Sequence, residues 1–343
     1  GAEQRVRAFL DWLRALRVLD PACGSGNFLY VTMHLLKEVE HEAVRELEGL
    51  TGHPELRMQE IGPANFLGIE VKPWAREIAE LTLWIGFHQF WKRHHAVQPP
   101  EPVLQDTGTL ELRDAVLAWD EIRHVPEKDR PDPTPRLVHP VTGELVPDPA
   151  ARLAYMEHVN AHAAEWPAAD FIVGNPPYLG QARQRDVFGD GYVDALRAAY
   201  ADVPDAADYV MYWWRRAAAA VASGRTIRAG LITTKALTQT QNRRVIELAA
   251  AAGVRVCWAI PEHPWSDGDG AEVRVSMTVL AHEPTIARLL QVPPTRYARG
   301  EVPIISDVHV PKLNSDLTAH ADVASSAAVS LLANAGMCSN GYK

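Results

Sequence analysis

Asn175-Pro176-Pro177-Tyr178 is a four-residue run suited to one kind of chemistry on an amine. An exocyclic amine on an aromatic ring is a poor nucleophile, because its lone pair is delocalised into the ring. Two acceptors aimed at its hydrogens favour a tetrahedral nitrogen and release that lone pair. The side-chain oxygen of Asn175 is one acceptor. The carbonyl of Pro176 is the other, at a turn the proline ring fixes and with no N–H to compete. Tyr178 adds an aromatic face on which a base can stack, worth roughly 1–3 kcal/mol. That offsets much of the few kcal/mol needed to unstack a base. Alone, the run is also an ordinary β-turn, so its meaning depends on what lies beside it.

A second constellation is "RVLDPACGSGNFLYV", residues 17 to 31. A short buried strand ends at Asp20, Gly24 and Gly26 allow a turn closed to other residues, and a helix begins near Phe28. A strand, a glycine turn and a helix N-terminus form a general cofactor cradle. The dinucleotide fingerprint fails: position 29 is Leu, and no acid at a strand end follows about 20 residues on. Asp20 would repel a pyrophosphate but pairs well with a cationic amino-acid group. S-adenosylmethionine carries an ammonium and a sulfonium and no phosphate. Glu70, ending a second strand, can accept both ribose hydroxyls, and Asp114, ending a third, can accept from an adenine amino group. Three acids at successive strand ends suit an adenosyl ligand lying across the carboxyl edge of a sheet.

The elements that must position these groups follow from hydrophobic period. Residues 3 to 16 read as an amphipathic helix with Val6, Phe9, Leu10 and Leu13 on one face. Helices are expected over 27 to 49, from Pro73 to about His94, over 208 to 223 and over 242 to 252. Strands are expected at 65 to 70, 108 to 115, 169 to 178 and 228 to 236, with a closing pair at 254 to 260 and 272 to 282. Alternating strand and helix means an α/β fold, a mostly parallel sheet with helices on both faces and a closing antiparallel pair. The Pro-rich stretch 123 to 150 reads as a long loop or insertion. Sheet periodicity ends near His282, which gives a domain over 1 to 283 and a connector from 284 to 343 that begins a further region.

The 343 residues carry a net charge of −9, so any nucleic-acid contact must be a local basic patch. The segment 180 to 186, just after the proline turn, reads as a loop, and its Arg183 and Arg185 are candidates for phosphate contact. Three cysteines with no CxxC pair suggest neither a disulfide framework nor a zinc knuckle. No membrane span or leader is visible, so a reducing cytoplasm is the default setting. His158 and His162 stand four apart without a third ligand and read as a solvated helix face. "SDGDG" at 266 to 270 reads as a turn, and Glu70-Val71-Lys72 lacks the rest of a nuclease signature.

"LDPACGSGNFL" with "GNPPY" resembles the amino-methylating DNA methyltransferases, specifically the N6-adenine class with the cofactor motif first. The likeness is strongest to the modification region of single-chain type IIG or IIL restriction–modification enzymes, and it covers roughly residues 5 to 283. It implies a Rossmann-like methyltransferase fold and S-adenosylmethionine contacts at Asp20, Ala22, Cys23, Gly24, Gly26, Asn27, Phe28, Glu70, Val71 and Asp114. It implies catalytic roles for Asn175, Pro176, Pro177 and Tyr178, and a second base-stacking aromatic at Trp265. Double-stranded DNA is the implied partner, with nuclease and target-recognition domains linked outside this chain. The resemblance leaves open N4-cytosine methylation, whose acceptor logic is the same. Methylation of protein glutamine or RNA, and a non-catalytic recognition scaffold, are the further alternatives.

Overall fold

The computed structural model describes residues 1–55, 60–94, 107–266, 272–284, 286–292 and 306–319. The first half alternates helix and strand: α1 (Ala2–Ala15), β1 (Val18–Asp20), α2 (Asn27–Thr51), β2 (Phe66–Glu70), α3 (Pro73–His94) and β3 (Leu110–Leu112). After a long excursion come β4 (Phe171–Gly174), α4 (Gln181–Phe188), α5 (Asp190–Ala199), α6 (Val210–Ala222) and β5 (Arg228–Thr234). Then follow α7 (Thr240–Ala251), β6 (Val254–Ser266), β7 (Glu272–His282), β8 (Ala287–Gln291) and β9 (Ser306–Val310).

These nine strands form one sheet in the order β9-β8-β6-β7-β5-β4-β1-β2-β3. The pairs β4–β1, β1–β2, β2–β3 and β4–β5 are parallel, and β7 is antiparallel to both β5 and β6. Strand period two sends successive side chains to opposite faces. Val18 and Phe66 therefore pack with Leu13, Leu29 and Leu83 of α1, α2 and α3. Their neighbours Leu19 and Leu67 pack with Leu196, Trp214 and Val245 of α5, α6 and α7. Both faces are covered, as a parallel sheet requires.

The Pro-rich stretch is not a loop. Residues 117 to 163 fold back on themselves as one interrupted antiparallel hairpin. Leu117–Ala118 pairs with His162–Ala163 at its base, Glu121–His124 with Met156–Val159, Arg130–Pro131 with Arg152–Leu153, and Arg136–Val138 with Leu145–Pro147 near its tip. Pro126, Pro133 and Pro149 stand in two of the ladder's breaks, where proline cannot donate, while Pro131 and Pro147 hold paired positions. His158 and His162 lie on this arm, on strands rather than on the expected helix. The arm is tied to α5 by Arg130 with Asp190 and by Tyr155 Oη, which donates to Asp194 at 3.0 Å.

Two other expectations change. The segment 180 to 186, read as a loop, lies largely in α4, whose polar sequence gives no apolar stripe. The sheet also does not stop at His282: β8 pairs parallel to β6, and β9 pairs antiparallel to β8. The "SDGDG" run from residue 267 onward and the whole stretch after 319, Cys338 included, lie outside the described residues. Among the described residues, no helix is long and apolar enough to cross a membrane.

Candidate active site

Parallel strands β1, β2, β3 and β4 end at one edge, so the residues that follow them meet there. A cavity of about 610 Å³ opens at that edge. Ala22, Gly24, Glu70, Val71, Asp114, Asn175 and Pro177 all line it. The two constellations, far apart in sequence, thus share one cavity.

The turn after β1 depends on its glycines. Gly24 and Gly26 have φ of 53° and 83°, in the left-handed region. Gly26 also backs onto α3, where an added Cβ would sit 3.0 Å from Ala79 Cα. Glu70 fastens the turn: Oε2 accepts from the Gly24 N–H at 2.9 Å. Its Oε1 accepts from the Val71 and Lys72 N–H groups, each at 2.9 Å.

Asp20 lies behind the turn and is only 1% exposed. Oδ1 accepts from the Ala22 N–H at 3.0 Å, while Oδ2 has no hydrogen-bond partner among the described residues. Burial pushes the acid up to about 7; the Ala22 N–H opposes the rise and the charge of Glu70 adds to it. Gly174 makes room for this carboxylate, since a Cβ there would lie 2.7 Å from Asp20 Oδ1.

Asp114 is held from three directions. Oδ1 accepts from the Val116 N–H at 2.7 Å and the Leu117 N–H at 3.0 Å. Oδ2 accepts from Tyr192 Oη at 2.7 Å. Tyr192 Oη in turn lies 2.7 Å from Tyr209 Oη.

At the proline turn, the Tyr178 hydroxyl donates to Asn175 Oδ1. Burial pushes the Tyr178 phenol up to about 12, so it stays protonated at neutral pH. Pro176 is buried and Pro177 is exposed at the cavity wall.

Other candidate residues stand apart from this cavity. Cys23 is buried beneath Gly68, and burial raises its thiol far above the usual range. Asn27 and Phe28 line a separate apolar cavity of about 360 Å³ with Val173 and Ile232. Trp265, on β6, is 37% exposed and does not line this cavity. Arg183 is exposed, whereas Arg185 is spent on Asp190 at 3.0 Å and Asp194 at 2.7 Å.

Sequence reasoning missed the far wall, formed by Phe188, Tyr192, Tyr209 and Trp213. The four-residue spacing of Tyr209 and Trp213 was the available signal, since residues four apart share a helix face. Among the described residues no three His, Cys, Asp or Glu side chains group to hold a metal ion.

A family model described as "MmeI, DNA-methyltransferase domain" matches residues 1–290. DNA methyltransferase A of Bacillus subtilis (strain 168) is 25% identical over 290 residues, which is 82% of this chain and 28% of that protein. A putative type II restriction enzyme and methyltransferase of Methanocaldococcus jannaschii is 38% identical over 83 residues, 24% of this chain and 7% of that protein. Among solved structures, the type IIL restriction–modification enzyme MmeI in complex with DNA matches with a TM-score of 0.62 at 20% identity. That match covers 93% of this chain and 38% of the other, and it is a likeness of fold. The chain spans less than a third of the length of the curated relatives it matches.

Proposed function

The chain belongs to the MmeI DNA-methyltransferase domain family, and from that premise we propose that it methylates N6 of adenine in DNA with S-adenosylmethionine. The observation that carries the reading is that Asn175 and Pro177 line the same cavity as Gly24, Glu70 and Asp114. A cofactor cradle and an amine-directed acceptor then face one space.

The donor set fits the cofactor. Asp20 keeps a buried oxygen without a partner for an ammonium group. Glu70 and Asp114 bring two carboxylates to the rim, and Ile69, Ala115 and Phe188 give an apolar wall for a purine. The chemistry the cofactor supplies is a methyl group on a sulfonium, already a good leaving group. The chain must then ready the nucleophile. Asn175 Oδ1 and the Pro176 carbonyl accept the two hydrogens of the target amine. An amide oxygen has two lone pairs, so the Tyr178 hydroxyl and the amine can share Asn175. Tyr178 offers its ring to the flipped base, and Trp265 is the second stacking candidate. In this reading the chain is the modification region of a larger restriction–modification polypeptide, in keeping with its share of its relatives' length.

The test is transfer of radiolabelled methyl to DNA, with the modified base identified by mass spectrometry. N6-methyladenine is expected. N4-methylcytosine would keep the acceptor chemistry and change the base. Transfer to protein or RNA with none to DNA overturns the proposal.

A further inference from the structure

Asp114 has more partners than an adenine-reading acid needs. A carboxylate is an acceptor only, with about four lone-pair sites. Oδ1 spends two on the Val116 and Leu117 N–H groups, and Oδ2 spends one on Tyr192 Oη. One acceptor site remains, on a residue that borders the cavity. The count leaves room for one hydrogen of an exocyclic amine.

The third of these bonds comes from a different part of the chain. Tyr192 is on α5, beyond the proline turn, and is only 7% exposed. It has a single proton, which it gives to Asp114. The 2.7 Å contact with Tyr209 therefore requires Tyr209 to donate to Tyr192. Tyr209 is 4% exposed, so both hydroxyls are removed from solvent. The Tyr192 ring is wedged between Phe188, with centroids 5.2 Å apart, and His158 of the arm, at 5.5 Å. Burial first, then the nearby Tyr209 and Asp114, hold its phenol far above neutral pH, so the donor persists.

We propose that Tyr192 is a positioning residue that sets Asp114 as acceptor for the adenine amino group of the cofactor. It thereby ties cofactor selection to the segment following the Asn-Pro-Pro-Tyr turn. The inference rests on the reading of this cavity as an adenosyl pocket.

The experiment is calorimetric binding of S-adenosylhomocysteine and of its 6-desamino analogue, which lacks the adenine amine. The parent protein should prefer the adenosyl ligand by roughly tenfold, the scale of one hydrogen bond to a charged group. Tyr192→Phe should shrink that preference, read as the ratio of the two affinities within the one variant, to about twofold. Tyr209→Phe should move it the same way by less, and it carries the test if Tyr192→Phe does not fold. Tyr200→Phe is the control. Its hydroxyl donates to the Val116 carbonyl at 2.7 Å, a buried bond outside the chain of hydroxyls. It should lower the melting midpoint and keep the preference. A preference lost in Asp114→Asn but kept in both Tyr192→Phe and Tyr209→Phe overturns the inference and leaves the pocket reading standing. A parent protein that binds neither ligand, or both equally, overturns the inference together with the role of Asp114 it rests on.

Discussion

In the proposed reading Asn175 faces the target amine and Asp20 the cofactor, so substitutions should separate the two functions. On that reading Asn175→Ala removes an acceptor for the target amine and no cofactor anchor. Single-turnover methyl transfer should fall about 10²–10³-fold, the range for losing one preorganised polar group at a developing charge. Affinity for S-adenosylhomocysteine should stay within about twofold; a large loss of binding would move Asn175 out of the acceptor role. Asp20 makes a pH prediction. Its acid sits at about 7 in the fold, against about 3.9 in an unfolded chain. The folded state thus holds a proton that the unfolded state has released. That stabilisation is complete below about pH 4 and disappears as pH rises through about 7. The melting midpoint of the ligand-free protein should drop from pH 5 to pH 8, and Asp20→Asn should flatten the drop. An equal slope in the variant would assign the pH dependence to other groups.

Strand β4 and the hairpin arm show what the sequence made legible and what it hid. The strand before Asn-Pro-Pro-Tyr was legible because Phe171 to Val173 are apolar and the prolines end it sharply. The need for Gly174 was not, because the atom that excludes a side chain there belongs to Asp20, far away in sequence. Gly174→Ala should cost about 1–3 kcal/mol of stability, as overpacking does, and should weaken cofactor binding by displacing the carboxylate. Retained stability and affinity would mean that Asp20 has room to move. The arm was illegible for another reason. Its prolines break the alternation that marks a strand, and its pairing partners count outward from a tip that carries no strong hairpin signal. Among the described residues, none between Trp119 and Ala163 belongs to the buried core. Replacing residues 133 to 150 by a tight Asn-Gly turn should therefore leave the melting midpoint within about 2–4 °C. A collapse of the fold would show that the distal arm bears on the core.

At the scale of the whole molecule, the sheet runs past the boundary that periodicity suggested. Ala287, Leu289, Leu313 and Leu317 belong to the main core cluster, and β8 covers the edge of β6. A chain cut after His282 should melt lower and associate through that bared edge. Light scattering and thermal melting test this; an unchanged, monomeric truncation would confine the fold to the shorter span. The order of strands also governs how the protein is made. The Arg17 N–H donates to Asp170 Oδ2 across 153 residues, and β1 lies between β2 and β4. A nascent polypeptide can pair β1 with β2 early, but the face bearing Leu19 and Leu67 has no cover until α5, α6 and α7 have left the ribosome. At about 5–20 residues per second, β4 follows β2 by roughly 5–20 s. During that interval the half-built sheet offers a bare apolar surface and an unpaired edge, the two features that expose a nascent chain to aggregation while it is being translated.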